Sequence, residues 1–416
     1  MDIKGVIFDM DGTLTDTLSL CVAAFRQAIE PLSGKQFSDE QIIATFGPSE
    51  EGTIMQLAPD HYEQGLSAYL AAYKTLIGDA DGVFSGITEL LGELRSAGIP
   101  MALVTGKGSG STELTLARYD LAPYFTTVAT GSPQGSVKAL RIREIVGAWG
   151  LDPRDVLYVG DAPSDVTASR EAGVRIAAAL WSPEADSRAV AALHPDLMFN
   201  RVAELLAWFR QQRQDRFFSL VQQLQGMAQT GLTFTRDRYD IERYEALRDI
   251  AAQLMAGQSS ALRAQLAASF TGQAGYATPK VDTRAIVLRQ GKILLVREAD
   301  DGLWSLPGGW ADIGDRPSEA IRREIREETG LEATTERLLG VWDRNLHGHP
   351  PYPFHVYKMI FLCAEQGGEL RLCEDSLELG FFDPAQLPPL SLTRIVPVEI
   401  QTSLRIINEN GPTWFD

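Results

Sequence analysis

The chain has 416 residues, of which 44% are hydrophobic and 22% charged, and its formal net charge is −17. That length suits two or three domains with separate cores, and the acidic balance argues against a large footprint on a nucleic-acid backbone. With no apolar run approaching a membrane span, no signal peptide, and three cysteines (Cys21, Cys363, Cys373) in no ligand spacing, the expectation is a cytoplasmic protein that does not bind membranes or nucleic acid and acts on small molecules.

In chain order, residues 4–8 (KGVIF) read as a buried parallel strand that runs into Asp9-Met10-Asp11-Gly12-Thr13. This puts two carboxylates at the carboxyl end of a strand, where open α/β sheets bind ligands. An insert over roughly 16–82 follows, with helical patterns at Leu18–Ile29, Asp39–Thr45 and Tyr62–Ile77. Pro100–Val104 is the next strand, and its tip, Thr105-Gly106-Lys107, offers a hydroxyl and backbone N–H groups. Lys138 stands ahead of an amphipathic helix marked by Leu140, Ile142, Ile145, Val146 and Trp149. Val156–Val159 is a further strand, delivering Asp161 and Asp165 in Gly160-Asp161-Ala162-Pro163-Ser164-Asp165.

These four short motifs, in this order at strand tips, resemble the haloacid dehalogenase superfamily of phosphatases. The resemblance implies a Rossmann-like core over residues 1–205 with a helical cap at about 16–82, similar to phosphoglycolate-phosphatase-like members. It implies Asp9 as the nucleophile and Asp11 as the general acid and then base. Thr105 and Lys138 would hold the phosphoryl oxygens, and Thr13 and Gly106 would line the substrate. The metal-side carboxylates would be Asp9, Asp11, Asp161 and Asp165. The chemistry agrees, because a carboxylate attacks a phosphate dianion only where cations cancel the repulsion.

The α/β pattern fades after Asn200. Residues 206–278 read as a helical connector, with helices at Val202–Arg210 and Phe217–Met227, a break at Gly231, Asp240 as an N-cap, and another helix over Ser259–Ser269. The stretch from about Phe217 to Ala256 resembles the N-terminal extension of one Nudix subgroup, which includes CDP-choline pyrophosphatases and proteins labelled ADP-ribose pyrophosphatases. It implies a homodimer whose extension borders the substrate site.

Residues 279–416 open with a hairpin, Val281–Leu288 and Lys292–Arg297, turning across Arg289-Gln290-Gly291. The stretch Leu306–Leu331 combines a Gly turn, an acidic loop and an amphipathic helix in which Glu324, Glu327 and Glu328 leave one face. Such carboxylates repel unless a cation joins them, and hard oxygen ligands select Mg²⁺ or Mn²⁺. Gly309, Arg323, Glu324, Ile325, Glu327, Glu328, Gly330 and Leu331 match the Nudix box, which this stretch resembles, with Asp315 where Glu is usual. The resemblance implies an α+β fold, a mixed sheet carrying the box helix, and metal-dependent hydrolysis of a nucleoside diphosphate linked to another moiety. Glu324, Glu327 and Glu328 would be metal ligands, Glu327 also catalytic, and Arg323 part of the substrate site.

Further strands are expected at Leu338–Val341, Phe354–Leu362 and Leu379–Phe382, and a late helix at Pro397–Asn408. The loop around His347, His349 and His355 invites a zinc site, but no fourth ligand lies near. A substrate contact fits better, with Tyr352 or Phe354 stacking on a base or facing a quaternary ammonium. Of Glu374, Asp375 and Glu378, the last is chosen as a further catalytic base or metal ligand from outside the box.

Taken together, the chain is expected to be an α/β protein with two Mg²⁺-dependent sites. The best single scheme is CDP-choline to CMP and phosphocholine, followed by release of phosphate from one product. ADP-ribose as the diphosphate, with an unrelated monoester such as phosphoglycolate for the phosphatase, is the alternative. A nucleotide-sensing protein without turnover is the alternative of another class.

Overall fold

The computed structural model describes residues 3–78, 80, 82–257, 260–373 and 376–416. They fall into two compact units, Met1–Arg210 and Gln211–Asp416.

The first unit is built on six parallel strands: β1 (Gly5–Phe8), β2 (Met101–Val104), β3 (Thr127–Ala129), β4 (Val156–Gly160), β5 (Arg175–Ala179) and β6 (Leu197–Phe199). Their order is β3-β2-β1-β4-β5-β6. Alternate residues feed two separate cores. Val6, Phe8, Leu103, Leu157 and Val159 pack on one face, and Ile7, Ala102, Val104, Tyr158 and Ile176 on the other. A sheet buried on both faces explains why β1 and β4 read as continuous apolar runs. β1 lies between β2 and β4, the point at which the order reverses. The carboxyl ends of all three strands therefore border one crevice.

Among the described residues, five α-helices lie between β1 and β2, and the first four make up the insert: α1 (Leu18–Ser33), α2 (Asp39–Ile43), α3 (Glu50–Leu57) and α4 (Tyr62–Gly78). They have a core of their own around Phe25, Ile29, Tyr69 and Tyr73. α1 continues past Ile29, through Pro31, to a left-handed Gly34 with φ 67°. The short α3 shows no sequence periodicity strong enough to mark it. The remaining helices are α5 (Ile87–Ser96), α6 (Ser109–Arg118), α7 (Lys138–Trp149), α8 (Pro163–Ala172) and α9 (Ser187–Ala192).

The expected helices Val202–Arg210 and Phe217–Met227 are parts of one 33-residue helix, α10 (Val202–Phe234), and Gly231 does not break it. One helical glycine costs only about 1 kcal/mol, and this one has a packing role. A Cβ there would fall 2.4 Å from the Tyr244 ring. α11 (Arg238–Ala256) is capped by Asp237, whose carboxylate accepts from Asp240 N at 3.0 Å. Asp240 is thus inside the first turn and is not the N-cap. α12 (Ser260–Thr271) follows, and Ser259 of the expected helix lies outside the described residues. Val221, Ala251, Met255, Leu266 and Phe270 form the core of this helical layer.

The second unit also holds a mixed eight-stranded sheet: β7 (Lys280–Arg289), β8 (Lys292–Glu298), β9 (Trp304–Ser305), β10 (Gly308–Trp310), β11 (Leu331–Asp343), β12 (Val356–Gly368), β13 (Ser376–Phe382) and β14 (Trp414–Phe415). The β7–β8 turn places Gln290 at φ 52° and Gly291 at φ 76°, the paired positive values of a two-residue hairpin loop. α13 (Pro317–Thr329) packs Ile321 and Ile325 on one face and stops at left-handed Gly330. α14 (Pro397–Glu409) packs Ile400 and Ile406 on the other. Phe354 lies before β12, outside the strand expected to begin there.

Each histidine of the late loop has its own carboxylate: His347 with Asp416 at 2.8 Å, His349 with Glu399 at 2.9 Å, and His355 with Asp343 at 2.9 Å. Asp343 also accepts from Asn345 N, and its own N–H donates to Asp416.

Gly231→Ala should lower stability by about 1–3 kcal/mol through overpacking, and by less in a Tyr244→Ala background; urea unfolding of the four variants checks this. The hydrogen bond to Asp343 raises the His355 pKa against burial. Burial pushes Asp343 up, but His355 and Asn345 bring it below its ordinary value. The histidine's stabilisation is therefore full below about pH 6.5 and lost as pH rises through its raised pKa. The aspartate's is present above about pH 4 and lost on acidification. The melting-temperature deficit of His355→Ala should be larger near pH 5.5 than near pH 8.5.

Candidate active sites

The end of β1 turns sharply at Gly12, where φ is +77°. A Cβ there would fall 2.2 Å from Asp161 Oδ2, so glycine lets the β1 and β4 tips close on each other. Asp9 is buried, and its Oδ2 accepts from Lys138 Nζ at 2.9 Å. The same ammonium, at the first residue of α7, reaches Asp165 Oδ1 at 2.6 Å. Asp165 is fixed further by Tyr158 OH and by Ala162 N. Thr13 Oγ1 donates to Asp161 Oδ1 at 3.0 Å, while Trp181 Nε1 holds the Thr13 carbonyl.

Carboxylate oxygens of Asp9, Asp161 and Asp165 lie within 4.8 Å of one another. Burial raises the Asp9 pKa to about 7, with Lys138 opposing and Asp165 adding to the rise. Burial and the neighbouring Asp165 and Asp9 carry Asp161 well above its usual range. Asp9 Oδ1 is buried with no hydrogen-bond partner among the described groups. An orphaned anionic oxygen beside two further carboxylates fits a hard divalent cation, which would relieve the repulsion that otherwise favours protons.

Asp11 stands outside this group of three, although the sequence reading counts it among the metal ligands. The turn at Gly12 sends its carboxylate toward α1, to the Thr17 hydroxyl and to Lys107 Nζ at 3.1 Å. Lys107, named in the sequence motif but given no role there, is buried and also meets Cys21 Sγ at 2.9 Å and the Tyr73 ring at 4.4 Å. Burial would depress the Lys107 ammonium, but Asp11, Cys21 and Tyr73 hold it well above its ordinary value. Thr105 is buried at the β2 tip, and its Oγ accepts from Lys107 N at 3.2 Å. Gly106 follows it along a cavity of about 300 Å³ between the sheet and α1–α4. Cys21 and Glu50 of that cavity carry no sequence signal, because only the fold brings them to the strand tips.

The other candidate site lies where α13 faces the turn into β10. A Cβ on Gly309 would fall 2.7 Å from Glu324 Oε2, and Gly308 N donates to Glu328 Oε2 at 2.8 Å. Burial raises the Glu328 pKa to about 7, with Arg284 lowering it and Glu298 and Glu324 adding to the rise. Arg323 lies among four carboxylates: Glu324 at 2.8 Å, Glu327 at 3.1 Å, Asp312 at 3.2 Å and Asp315 at 3.3 Å. Asp315 thus still reaches the box arginine despite its shorter side chain, and Asp312 joins it. Arg323 itself is turned to the acids of the box.

Glu378 is turned away from the box. It pairs with Arg297 at 3.5 Å on the β8–β13 edge, and its side chain is 58% exposed. Alternation along β13 puts it beside the outward Arg297, a neighbour that spacing from the box cannot reveal. Glu374 and Asp375 lie outside the described residues. The carboxylate that does approach Glu328 is buried Glu298, which also bonds Ser305 and Arg394. Its signal is faint: it ends the apolar run of β8.

Tyr352 stacks toward Trp310, with ring centroids 6.3 Å apart and planes at 30°, and lies under Arg344. Phe354 packs edge-on against Phe270 of α12, which makes it part of the helical packing as well. Trp310 directly follows Gly309 and is 47% exposed. Sequence reasoning passed over it because an aromatic after a Gly turn is as often core as site.

Residues 6–179 match the family of haloacid dehalogenase-like hydrolases, residues 279–400 match the NUDIX domain, and residues 215–270 match the UDP-X-like N-terminal oligomerisation domain. The Bacillus subtilis protein YjhB, which carries the provisional name ADP-ribose pyrophosphatase, is 41% identical over 187 residues, 45% of this chain and 90% of its own length. A phosphoglycolate phosphatase of Synechococcus elongatus is 31% identical over 212 residues, 49% of this chain and 96% of its own. A crystal structure of a UDP-X diphosphatase shares 34% identity over 48% of this chain and 98% of its own, with a TM-score of 0.33. The chain is therefore a hydrolase that belongs to two families at once, a haloacid dehalogenase-like phosphatase joined to a NUDIX pyrophosphatase.

Proposed function

We propose that the chain carries out two consecutive hydrolyses, the NUDIX site making phosphate monoesters and the phosphatase site consuming one of them. The observation that supports this most is the pairing of the two products of evolution on one chain: carboxylates gathered at the Gly308–Gly309 turn, and the Asp9–Lys138–Asp165 bridge at the β1 tip. We assign the phosphatase to residues 1–205, the helical connector to 206–278 and the NUDIX hydrolase to 279–416.

In the phosphatase, Asp9 attacks phosphorus as the P–O bond to the alcohol breaks, and Asp11 gives that alcohol its proton. Water then attacks the aspartyl-phosphate, Asp11 takes the proton, and phosphate leaves. Lys138 and Thr105 hold phosphoryl oxygens, and Lys107 positions Asp11. Asp9, Asp161 and Asp165 are the residues that would hold Mg²⁺ or Mn²⁺, which would supply positive charge against the dianion. In the NUDIX site, Glu324, Glu327 and Glu328 would hold the cation. Glu327, the most exposed of them, takes a proton from the attacking water, and Arg323 fixes its carboxylate.

The substrate class is a nucleoside diphosphate linked to a second moiety, with Trp310 and Tyr352 offering aromatic faces to a base or a quaternary ammonium. CDP-choline, giving CMP and phosphocholine, remains our leading reading. ADP-ribose, giving AMP and ribose 5-phosphate, is the second, and the name carried by YjhB favours it. The match to an oligomerisation domain, with Phe217, Leu220, Met227 and Leu254 exposed on α10 and α11, supports a homodimer. No helix among the described residues is long and apolar enough to cross a membrane.

Glu327→Gln should cut diphosphate hydrolysis by about 10²-fold or more while sparing hydrolysis of p-nitrophenyl phosphate, and Asp9→Asn should do the reverse. Phosphorus NMR with CDP-choline and ADP-ribose reads both steps. Loss of both activities from either substitution in a folded protein would refute the two-site reading.

A further inference from the structure

We infer that the phosphatase pocket selects phosphate monoesters of small neutral or cationic alcohols and rejects those whose alcohol bears a second anion, with Glu50 as the specificity-determining residue. This rests on reading the cavity at Asp9 as the phosphatase site.

The cavity of about 300 Å³ has two ends. At one, Asp9, Thr105, Lys138 and Asp161 face the phosphoryl group. The other, where the alcohol must lie, is walled by Leu18, Phe25, Phe46, Glu50 and Tyr69 of the helical insert. The described lining contains two cations, and both are already paired with carboxylates. Lys138 bridges Asp9 and Asp165, and Lys107 holds Asp11. No lining cation is left to neutralise a carboxylate or phosphate on the alcohol.

Behind this wall lies the N-terminus of α6, whose N–H groups and helix dipole would attract a second anionic group. The protein's own carboxylate fills it. Glu50, buried in the first turn of α3, accepts from Gly108 N and from Ser111 Oγ, with Tyr69 OH at 3.4 Å. The approach is close enough that a Cβ on Gly108 would fall 2.6 Å from Glu50 Oε2. The same Cβ would fall 2.8 Å from Glu51 Oε2, an oxygen buried with no hydrogen-bond partner among the described groups. Two adjacent carboxylates of the insert thus converge on the start of α6. An alcohol carrying an anion would meet like charge where it needs a donor, whereas a hydroxyl or an ammonium would meet an acceptor and aromatic faces. Of the products named above, phosphocholine and ribose 5-phosphate are the two with small alcohols, and both satisfy this rule; phosphoglycolate does not.

The full chain, with Mg²⁺, should be assayed on three esters of similar size: 2-hydroxyethyl phosphate, phosphoethanolamine and phosphoglycolate, with p-nitrophenyl phosphate as a fourth. The neutral and cationic esters should exceed phosphoglycolate in kcat/KM by at least about tenfold. Glu50→Gln should shrink that ratio by raising the relative rate on phosphoglycolate, an effect that mere loosening of the insert would not produce. The wild-type ratio decides the matter even if the variant does not fold. Phosphoglycolate turned over as well as or better than the others, or a ratio unchanged by Glu50→Gln, would overturn the inference while leaving the phosphatase reading intact. No turnover of any of the four esters would overturn both.

Discussion

A lysine ammonium held between two buried carboxylates is the constraint on which the first unit turns. Lys138 cannot be taken from water without partners, and Asp9 and Asp165 cannot lie so close without a cation between them. Burial alone would depress the Lys138 ammonium, but the two aspartates keep it well above its ordinary value. That single bridge ties α7 to the end of β1 and the start of α8, so the parallel sheet and the Asp9 carboxylate are positioned by the same contact. The orphaned Asp9 Oδ1 is the remainder of the arrangement: Lys138 holds one oxygen, and the other has no hydrogen-bond partner among the described groups.

The NUDIX unit solves the same problem with different geometry. Arg323 spreads its guanidinium over four carboxylates at the surface, while Glu328 turns inward to a backbone N–H beside Arg284. A planar, always-charged fork suits several acids at once, where an ammonium suits two. The substitution of Asp for the usual Glu at 315 is absorbed because the fork has a second short acid, Asp312, within reach.

Local features of both halves were legible wherever chemistry and chain order coincide. Strand tips carrying Asp9, Thr105 and Asp161, and the Gly turn before the Glu-rich helix, need only neighbours in sequence to declare themselves. Contacts made across the fold left no such trace. Lys107 has no role in sequence until α1 and α4 bring Cys21 and Tyr73 to it, and Glu50 lies in a helix that no periodicity marks. Glu298 is hidden for the same reason: its place at the end of β8, beside Glu328, follows from strand alternation in the folded sheet, while Glu378, the acid that spacing suggests, pairs with Arg297. Gly231 misled in the opposite direction: its local cost suggested a break, but the Tyr244 ring needs the space that a side chain would fill.

Asp343 collects His355, Asn345 and Asp416 around the root of the loop that carries Tyr352. Its farthest partner lies 73 residues away in sequence, and none of the three belongs to the Glu-rich helix α13. The loop that brings Tyr352 to Trp310 is thereby tied to the edge of the sheet, independently of the carboxylates on α13. Substrate range and bond cleavage can then diverge separately during evolution: a change at the periphery can retune which diphosphate is admitted while the machinery that splits it stays intact.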